Sequence, residues 1–143
     1  METKESKIYE EKYRRGYGLV YPESHIIRVY ERFLMGRLSD GKKPKILDYG
    51  CGTGANPQFF QDKGLDVYGC DVSKTAIMKC RGNKKFKDSH FTVCDEIPNP
   101  IELFGVLRFD IVLSNQTLYY LPDDSIRKFV KETYNLINEG GLL

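Results

Sequence analysis

The chain has 143 residues, of which 41% are hydrophobic and 29% are charged, and this composition is typical of one soluble globular domain. Its formal net charge of +2 at pH 7 is too small to require nucleic acid or anionic lipid as a partner. The sequence contains no apolar run of about 18 residues, so no membrane-spanning helix is predicted. The charged N-terminus lacks the apolar region of a signal peptide, so we expect a cytoplasmic protein.

The cysteines are too irregularly spaced to predict a metal site or a disulfide framework. Cys51, Cys70, Cys80 and Cys94 include no C-x-x-C pair, and the chain has only 2 histidines to complete a metal site. We therefore expect reduced thiols and no bound metal, with Cys70 and Cys94 buried in apolar runs.

The first 21 residues are polar and rich in tyrosine, and a helical pattern follows them. The stretch "SHIIRVYERFLMGRL" predicts a helix that is capped by Ser24. Its apolar face is predicted to contain Ile26, Ile27, Tyr30, Phe33, Leu34 and Leu38.

From residue 45 onward, strand and helix patterns alternate. Strands are predicted at "KILDYG", "LDVYGCD", "HFTVCD" and "RFDIVLSN". This alternation predicts an α/β fold, a doubly wound and mostly parallel sheet covered on both faces. The carboxyl ends of its strands should share one edge, where open sheets of this kind bind ligands.

The helices between these strands have recognisable ends. "NPQFFQDKG" is predicted to begin with Asn56 as its cap and Pro57 at its first position. "SKTAIMKCRG" is predicted to be capped by Ser73 and to end at Gly82. The last helix is predicted to begin at Asp123 or Asp124 and to end at the glycines 140 and 141. Its buried residues are predicted to be Ile126, Phe129, Val130, Thr133 and Ile137.

The stretch "ILDYGCGTGANP" is a glycine-rich loop after a strand, and three kinds of ligand use such loops. No Lys-Ser or Lys-Thr follows, so a nucleoside triphosphate is poorly supported. Gly50, Gly52 and Ala55 satisfy the dinucleotide pattern G-x-G-x-x-A, with Asp71 about 20 residues further on. However, Asp48 would repel a pyrophosphate. The additional Gly54 places no side chain at a position where a dinucleotide-binding loop carries one. These facts favour a cationic ligand without phosphate.

Four stretches in order resemble the motifs of the class I S-adenosylmethionine-dependent methyltransferases. "ILDYGCGTGANPQFF" is similar to the first motif, hydrophobic-D/E-x-G-x-G-x-G, and "GLDVYGCDVS" to the second. "FTVCDEIP" resembles the third, and "FDIVLSNQTLYYLPDD" resembles the segment that ends strand four. The resemblance implies a Rossmann-like methyltransferase fold and a small-molecule methyltransferase that converts S-adenosylmethionine to S-adenosylhomocysteine.

The resemblance also implies where the donor binds. Asp48 and the loop Gly50, Cys51, Gly52 and Gly54 would hold its methionine part. Asp71 would accept hydrogen bonds from the ribose, and Val72 would pack on adenine. Asp95 would reach the adenine amine, and Glu96 or Ile97 would flank the ring. Ser114 and Asn115 would line the floor near the transferred methyl group.

Candidates on the acceptor side come from the first helix region and from the segment after strand four. In many relatives an N-terminal segment forms a lid, which implies lid roles for Tyr13, Tyr17 and Tyr21; ordinary packing of these tyrosines is an equal alternative. His25, Tyr119 and Tyr120 are weak catalytic candidates. "SNQT" replaces the N/D-P-P-Y of nucleic-acid amino-methylating enzymes, so we expect a small-molecule substrate and no nucleic acid or membrane partner.

The chain ends at "GGLL", where strand five of this family begins. We expect a single domain over residues 1–143, with an N-terminal lid segment and helix (1–44) and a donor-binding core (45–143) that is truncated near strand five. Methylation of an O, N or C nucleophile is the favoured function. The alternatives are a non-catalytic donor-binding module, or half of an assembly in which a homo- or hetero-oligomer covers an exposed sheet edge. A nicotinamide oxidoreductase is a third hypothesis.

Overall fold

The computed structural model describes residues 3–37, 41, 43–95, 103–105 and 108–143. Its parallel strands form one sheet in the order β3-β2-β1-β4-β5. The strands are β1 (Lys45–Tyr49), β2 (Asp66–Asp71), β3 (Phe91–Val93), β4 (Phe109–Leu113) and β5 (Ile137–Leu142). The α-helices are α1 (Lys4–Arg14), α2 (Ser24–Val29), α3 (Ala55–Asp62), α4 (Lys74–Arg81) and α5 (Asp123–Tyr134). The doubly wound α/β fold predicted from the sequence is confirmed.

Two apolar clusters cover the two faces of the sheet. Consecutive residues of β1 point to opposite faces, so Ile46 belongs to one cluster and Leu47 to the other. Residues from α2, α3 and α4 pack on the Ile46 face, whereas Phe129 of α5 packs on the Leu47 face. The strand order reverses between β1 and β4, which is the position where sheets of this type form a ligand crevice.

Two predicted helix caps are wrong and one is confirmed. α3 begins at Ala55 because Gly54 adopts a left-handed conformation (φ 90°) at the cap position, so Asn56 is inside the helix. α2 has Glu23 rather than Ser24 at its cap, and the Glu23 side chain makes no cap hydrogen bond. In α4, Ser73 accepts a hydrogen bond from the amide of Ala76, as predicted.

The segment after α2 changes its helical geometry. A π-helical turn covers Tyr30–Leu34, and a 3₁₀ turn covers Met35–Arg37. Ile26, Tyr30 and Leu34 are buried, but Phe33 is 62% exposed, so its predicted place on the apolar face is wrong. The wider π turn rotates the later residues away from the face that an α-helical period predicts. Leu38 lies outside the described residues.

The C-terminal residues form a strand rather than the end of a helix. α5 ends at Tyr134, Val130 is exposed, and Ile137 begins β5. The predicted extension of α5 to Gly140 and Gly141 is therefore wrong. β5 pairs with β4, so β4 is not the exposed edge that we expected. Gly141 is required there because a Cβ atom would lie 2.8 Å from the carbonyl oxygen of Asp110.

Two further findings concern the bulk of the molecule. No helix in the described part of the chain is long and apolar enough to cross a membrane.

All four cysteines are free and buried, including Cys51 in the glycine loop. The predicted burial of Cys70 and Cys94 is confirmed.

Candidate functional site

A pocket of about 210 Å³ lies at the carboxyl ends of β1, β2 and β4. Parallel strands bring these ends to one edge, so residues far apart in the sequence meet there. The glycine loop, the end of β2, the segment after β4 and one side of α1 form its walls. The lining residues used below are Glu5, Tyr9, Tyr13, Tyr17, Glu23, Gly50, Cys51, Gly52, Asp71, Val72, Asn115, Gln116, Thr117, Tyr119 and Tyr120.

The glycine loop presents bare backbone to this pocket. Gly50, Gly52 and Gly54 all have positive φ angles, of 79°, 53° and 90°. A Cβ atom on Gly50 would overlap the Thr117 side chain, and one on Gly52 would lie 2.8 Å from the hydroxyl of Tyr13. Glycine is therefore needed both for the backbone conformation and for the close approach of neighbouring groups.

Asp71 connects the glycine loop to the start of α4. Its Oδ2 accepts a hydrogen bond from the Gly52 amide and its Oδ1 accepts one from the Ser73 amide, each at 2.9 Å. Burial raises the pKa of Asp71, although these backbone hydrogen bonds act in the opposite direction. The carboxylate is thus held at the pocket wall by backbone groups rather than by a cation.

Asp48 is a buried carboxylate beneath the glycine loop. It is 2% exposed, and neither carboxylate oxygen has a hydrogen-bond partner among the described residues. Burial, followed by the nearby charge of Asp71, raises the pKa of Asp48 to about 8. An unpaired buried acid is unfavourable unless a bound group compensates for it. This site therefore has the electrostatic character that a cationic ligand requires.

Helix α1 lies across the pocket. Tyr13 is 8% exposed, and burial and the charge of Asp71 raise the pKa of its hydroxyl. The hydroxyl of Tyr9 donates a hydrogen bond to that of Tyr120, next to the end of β4. The Tyr17 ring lies 5.5 Å from that of Tyr13, measured between centroids. α1 therefore places aromatic rings along one side of the pocket.

Glu10 attaches α1 to the N-terminus of α4. Its carboxylate accepts hydrogen bonds from Ser73 Oγ at 2.6 Å, from Thr75 Oγ1 at 2.5 Å and from the Thr75 amide at 3.2 Å. Burial opposes ionisation of Glu10, but these hydrogen bonds and the charge of Arg14 prevail and lower its pKa to about 2. Lys79 adds a hydrogen bond from Nζ to the Tyr13 carbonyl oxygen at 2.9 Å.

The segment after β4 holds a second carboxylate at the pocket. Glu23 accepts hydrogen bonds from the side-chain amides of Asn115 at 2.6 Å and Gln116 at 3.0 Å. Gln116 has a φ of 54°, which is unusual for a residue with a side chain. His25 Nε2 lies 2.7 Å from Asn115 Oδ1 and 3.2 Å from a Glu23 oxygen.

Residues 47–143 match the family described as "Methyltransferase domain". The chain belongs to this methyltransferase family. It is 29% identical over 110 residues to the malonyl-[acyl-carrier protein] O-methyltransferase of Enterobacter lignolyticus, an alignment that covers 77% of this chain and 41% of that protein. The chain thus spans well under half the length of that relative.

Solved structures share the fold. One, from work on the conversion of a disulfide bond into a thioacetal group during echinomycin biosynthesis, has a TM-score of 0.73 at 21% identity, covering 94% of this chain and 56% of that one. Another, the amino pentose methyltransferase CalS10 of Micromonospora echinaspora with S-adenosylmethionine bound, has a TM-score of 0.66 at 22% identity. It covers 94% of this chain and 54% of that one.

The pocket brings together many, but not all, of the residues that the sequence singled out. Those that line it are Tyr13, Tyr17, Gly50, Cys51, Gly52, Asp71, Val72, Asn115, Tyr119 and Tyr120. Those outside its lining are Tyr21, His25, Asp48, Gly54, Asp95 and Ser114. Tyr21 is 79% exposed, which places it away from the pocket that Tyr13 and Tyr17 cover. Glu96 and Ile97 lie outside the described residues.

Three residues of the site had no signal in the sequence motifs. Glu10 and Glu23 lie in polar stretches and reach the site only through long-range hydrogen bonds. Thr117 lies two residues beyond the predicted Asn115, and it contacts the glycine loop, donating a hydrogen bond to the Tyr49 carbonyl oxygen at 3.3 Å. The left-handed backbone at Gln116 places it there.

Proposed function

We propose that this chain binds S-adenosylmethionine in the pocket and forms the donor-binding part of a methyltransferase that acts on a small molecule. The observation that carries the proposal is the unpaired buried carboxylate of Asp48 beneath a glycine loop. A donor with a sulfonium and an ammonium group supplies positive charge where a dinucleotide would supply negative charge.

The residues of the pocket fit this donor in their chemistry. The backbone of Gly50 and Gly52 would hold the methionine part, above Asp48, whose ionised form a bound cation would favour. Asp71 would bind the ribose hydroxyls, and Val72 would contact the adenine ring. Asn115 would lie on the methionine side, at the end of β4. Asp95, Glu96 and Ile97 stay predicted contacts of the adenine, and Ser114 a predicted contact near the methyl group.

The bound donor supplies a methyl group that is already activated as a sulfonium. The protein then has to position the acceptor in line with the methyl–sulfur bond and exclude water. α1 serves the second purpose, because its tyrosines cover the pocket. Tyr119 and Tyr120 line the same pocket and would contact the acceptor. His25 would act on it only through Asn115 and Glu23, since its ring does not line the pocket.

Calorimetric titration tests donor binding. We expect S-adenosylmethionine to bind the wild-type chain and NAD not to bind. Asp48→Asn should weaken binding at least tenfold, because an amide cannot ionise to meet the cationic donor. It should not lower the unfolding temperature, because burial already disfavours the ionised form of Asp48 in the free chain. Asp88 is an exposed acid outside the pocket, so the control variant Asp88→Asn should bind S-adenosylmethionine as the wild type does.

The outcomes separate the alternatives. Tight NAD binding with no response to S-adenosylmethionine would support an oxidoreductase and overturn the proposal. Donor binding without S-adenosylhomocysteine formation against a panel of metabolites would support the non-catalytic module or a half that needs a further chain. Turnover by this chain alone would exclude both.

A further inference from the structure

We infer that the methyl acceptor is an amine and that Glu23 is the residue that recognises it. This inference rests on the proposed function, since it concerns the same pocket and the molecule that receives the methyl group. It depends on three observations: the charge of the pocket walls, the rigid support of Glu23 and the aromatic rings around it.

The described walls of the pocket are negatively charged. Glu5, Glu23 and Asp71 line it, and none of its described lining residues is a lysine, an arginine or a histidine. Asp48 lies beneath the same loop as a further acid. Such a site opposes entry of an acceptor with a net negative charge, because no lysine or arginine among the described lining residues offsets that charge.

Glu23 is positioned as a fixed anion. Both of its oxygens accept hydrogen bonds from the Gln116 amide, and Oε2 also accepts one from Asn115. Amide donors orient a carboxylate without neutralising it. The nearest titratable partner is His25, whose Nε2 lies 3.2 Å from Oε2. A carboxylate held in this way at a pocket wall matches an ammonium or a developing ammonium.

Aromatic faces surround the same region. We define the tyrosine cluster as Tyr9, Tyr17, Tyr119 and Tyr120. The ring centroids of Tyr9 and Tyr120 are 5.2 Å apart, and those of Tyr119 and Tyr120 are 4.1 Å apart. A hydrogen bond to Tyr120 is the main cause that raises the pKa of Tyr119. The charge of Lys12 lowers this pKa and that of Glu23 raises it, so both charged groups lie close enough to act on the cluster.

The tyrosine cluster already holds one ammonium. Lys12 Nζ lies 4.5 Å from the Tyr9 ring centroid and 5.7 Å from that of Tyr17. Cation–π attraction of this kind contributes about 0.5–2 kcal/mol. Lys12 does not line the pocket, whereas Tyr9 and Tyr17 do. These two rings would offer the same kind of attraction to an ammonium bound in the pocket.

Methylation of an amine conserves charge in this site. The free amine nitrogen forms a bond to the methyl carbon, the carbon–sulfur bond breaks, and its electron pair stays on sulfur. Positive charge moves from the sulfonium to the nitrogen, next to Glu23 and the tyrosine cluster. An acceptor that enters as an ammonium first transfers one proton to the Glu23 carboxylate and on to water, which frees the nitrogen lone pair for this step, and the product leaves as a methylated ammonium. An anionic acceptor would instead have to enter a negative pocket before reaction.

The test compares three probes of similar shape: 2-phenylethylamine, 2-phenylethanol and 3-phenylpropanoate. Each is titrated into the chain loaded with S-adenosylhomocysteine, at pH 7.5, for wild type, Glu23→Gln and the exposed control Glu31→Gln. We expect the amine to bind at least tenfold more tightly than the acid. Glu23→Gln should remove most of this preference, while Glu31→Gln should keep it.

Each other result overturns the inference in a distinguishable way. Equal or tighter binding of 3-phenylpropanoate would show that charge does not select amines. An amine preference that survives Glu23→Gln would show that another group recognises the amine. Loss of S-adenosylhomocysteine affinity in Glu23→Gln with the preference intact would assign Glu23 to the donor instead. If the nucleoside does not bind wild type, the proposed function fails, and the probes are then compared on the unliganded chain.

Discussion

The Glu10 carboxylate accepts a hydrogen bond from the Ser73 hydroxyl at 2.6 Å, and this contact joins α1 to the first turn of α4 beside the pocket. The Ser73 side chain also caps α4, and the Ser73 backbone amide donates a hydrogen bond to Asp71 Oδ1. One cap residue thus connects the covering helix to the acid at the end of β2. Movement of α1 and the geometry of the pocket wall are therefore coupled.

Removing the hydrogen bonds of Glu10 to Ser73 and Thr75 should weaken the attachment of α1 beside the pocket. We expect Glu10→Gln to lower the free energy of unfolding by about 1 kcal/mol and to increase the donor association and dissociation rates several-fold. Stopped-flow binding and urea denaturation measure these effects. Glu11→Gln is the matched control, since within the described part of the chain the Glu11 carboxylate pairs with Arg15 on the exposed side of the same helix. Equal rates in both variants would show that α1 does not limit ligand exchange.

The Glu10 contact should also be lost in acid. The folded-state pKa of Glu10, about 2, is below the ordinary value of 4.5, so the contribution of this carboxylate to stability is fully present above pH 4.5 and is lost as the pH falls towards 2. The difference in stability between wild type and Glu10→Gln should therefore shrink over this range. Urea denaturation at a series of pH values checks it, and a difference independent of pH would contradict the assignment.

Binding of the donor should release a proton through Asp48. The folded-state pKa of Asp48 is about 8, so the acid is mostly protonated in the free chain at pH 7, and a cationic donor favours its ionised form. Calorimetry in buffers of different ionisation enthalpy should show release of up to about one proton between pH 6 and 8. Asp48→Asn should show none, and wild-type binding without proton release would contradict this coupling.

The raised pKa of Asp48 makes the chain less stable as the pH rises, whereas the lowered pKa of Glu10 makes it more stable. Between pH 3.8 and about 8 the unfolded chain ionises Asp48 while the folded chain keeps it protonated. The unfolded state therefore binds fewer protons, and this group lowers stability as pH rises. Asp48→Asn should gain stability relative to wild type over that range, as thermal unfolding at several pH values would show.

Gly52→Ala should test the contact between the loop and α1. Both Gly52 and Gly64 have positive φ, but a Cβ atom on Gly64 meets nothing within 4 Å, whereas one on Gly52 meets the Tyr13 hydroxyl. Gly64→Ala should cost about 1–2 kcal/mol for backbone strain alone. Gly52→Ala should cost more and should weaken donor binding, and Tyr13→Phe should partly restore stability. Equal costs in the two alanine variants would argue against close packing of Tyr13.

The sheet could be predicted from the sequence because its strands are apolar runs that end at glycines or acids. β1, β2 and β4 lie where the pattern places them, and the Ser73 cap has its expected partner. The start of β5 is predicted too late in the sequence. The resemblance places strand five at "GGLL", and Gly140 and Gly141, which are typical of a helix end, extend the predicted α5 over Ile137, where β5 begins. In the structure Gly140 has a φ of 78°, and β5 pairs with β4 at an irregularity in register.

The glycine-loop part of the pocket could likewise be predicted. The resemblance implies lid roles for Tyr13 and Tyr17, but the helix α1 that carries Tyr13 and the role of Glu23 could not be predicted. α1 has one buried residue, Tyr13, so it carries no apolar period from which to predict its position. Polar contacts with residues more than 60 positions away hold it in place. Glu23 depends in the same way on amides of the segment after β4. The periodicity of apolar residues along the sequence does not identify hydrogen-bond partners that are so far apart in the chain.

α1 touches the pocket on two sides, at Ser73 and Thr75 next to β2 and at Tyr120 beyond β4. A nucleoside seated near β2 and an acceptor seated near β4 would therefore lie under the same helix. Movement of this one helix would therefore change access to both binding positions at once.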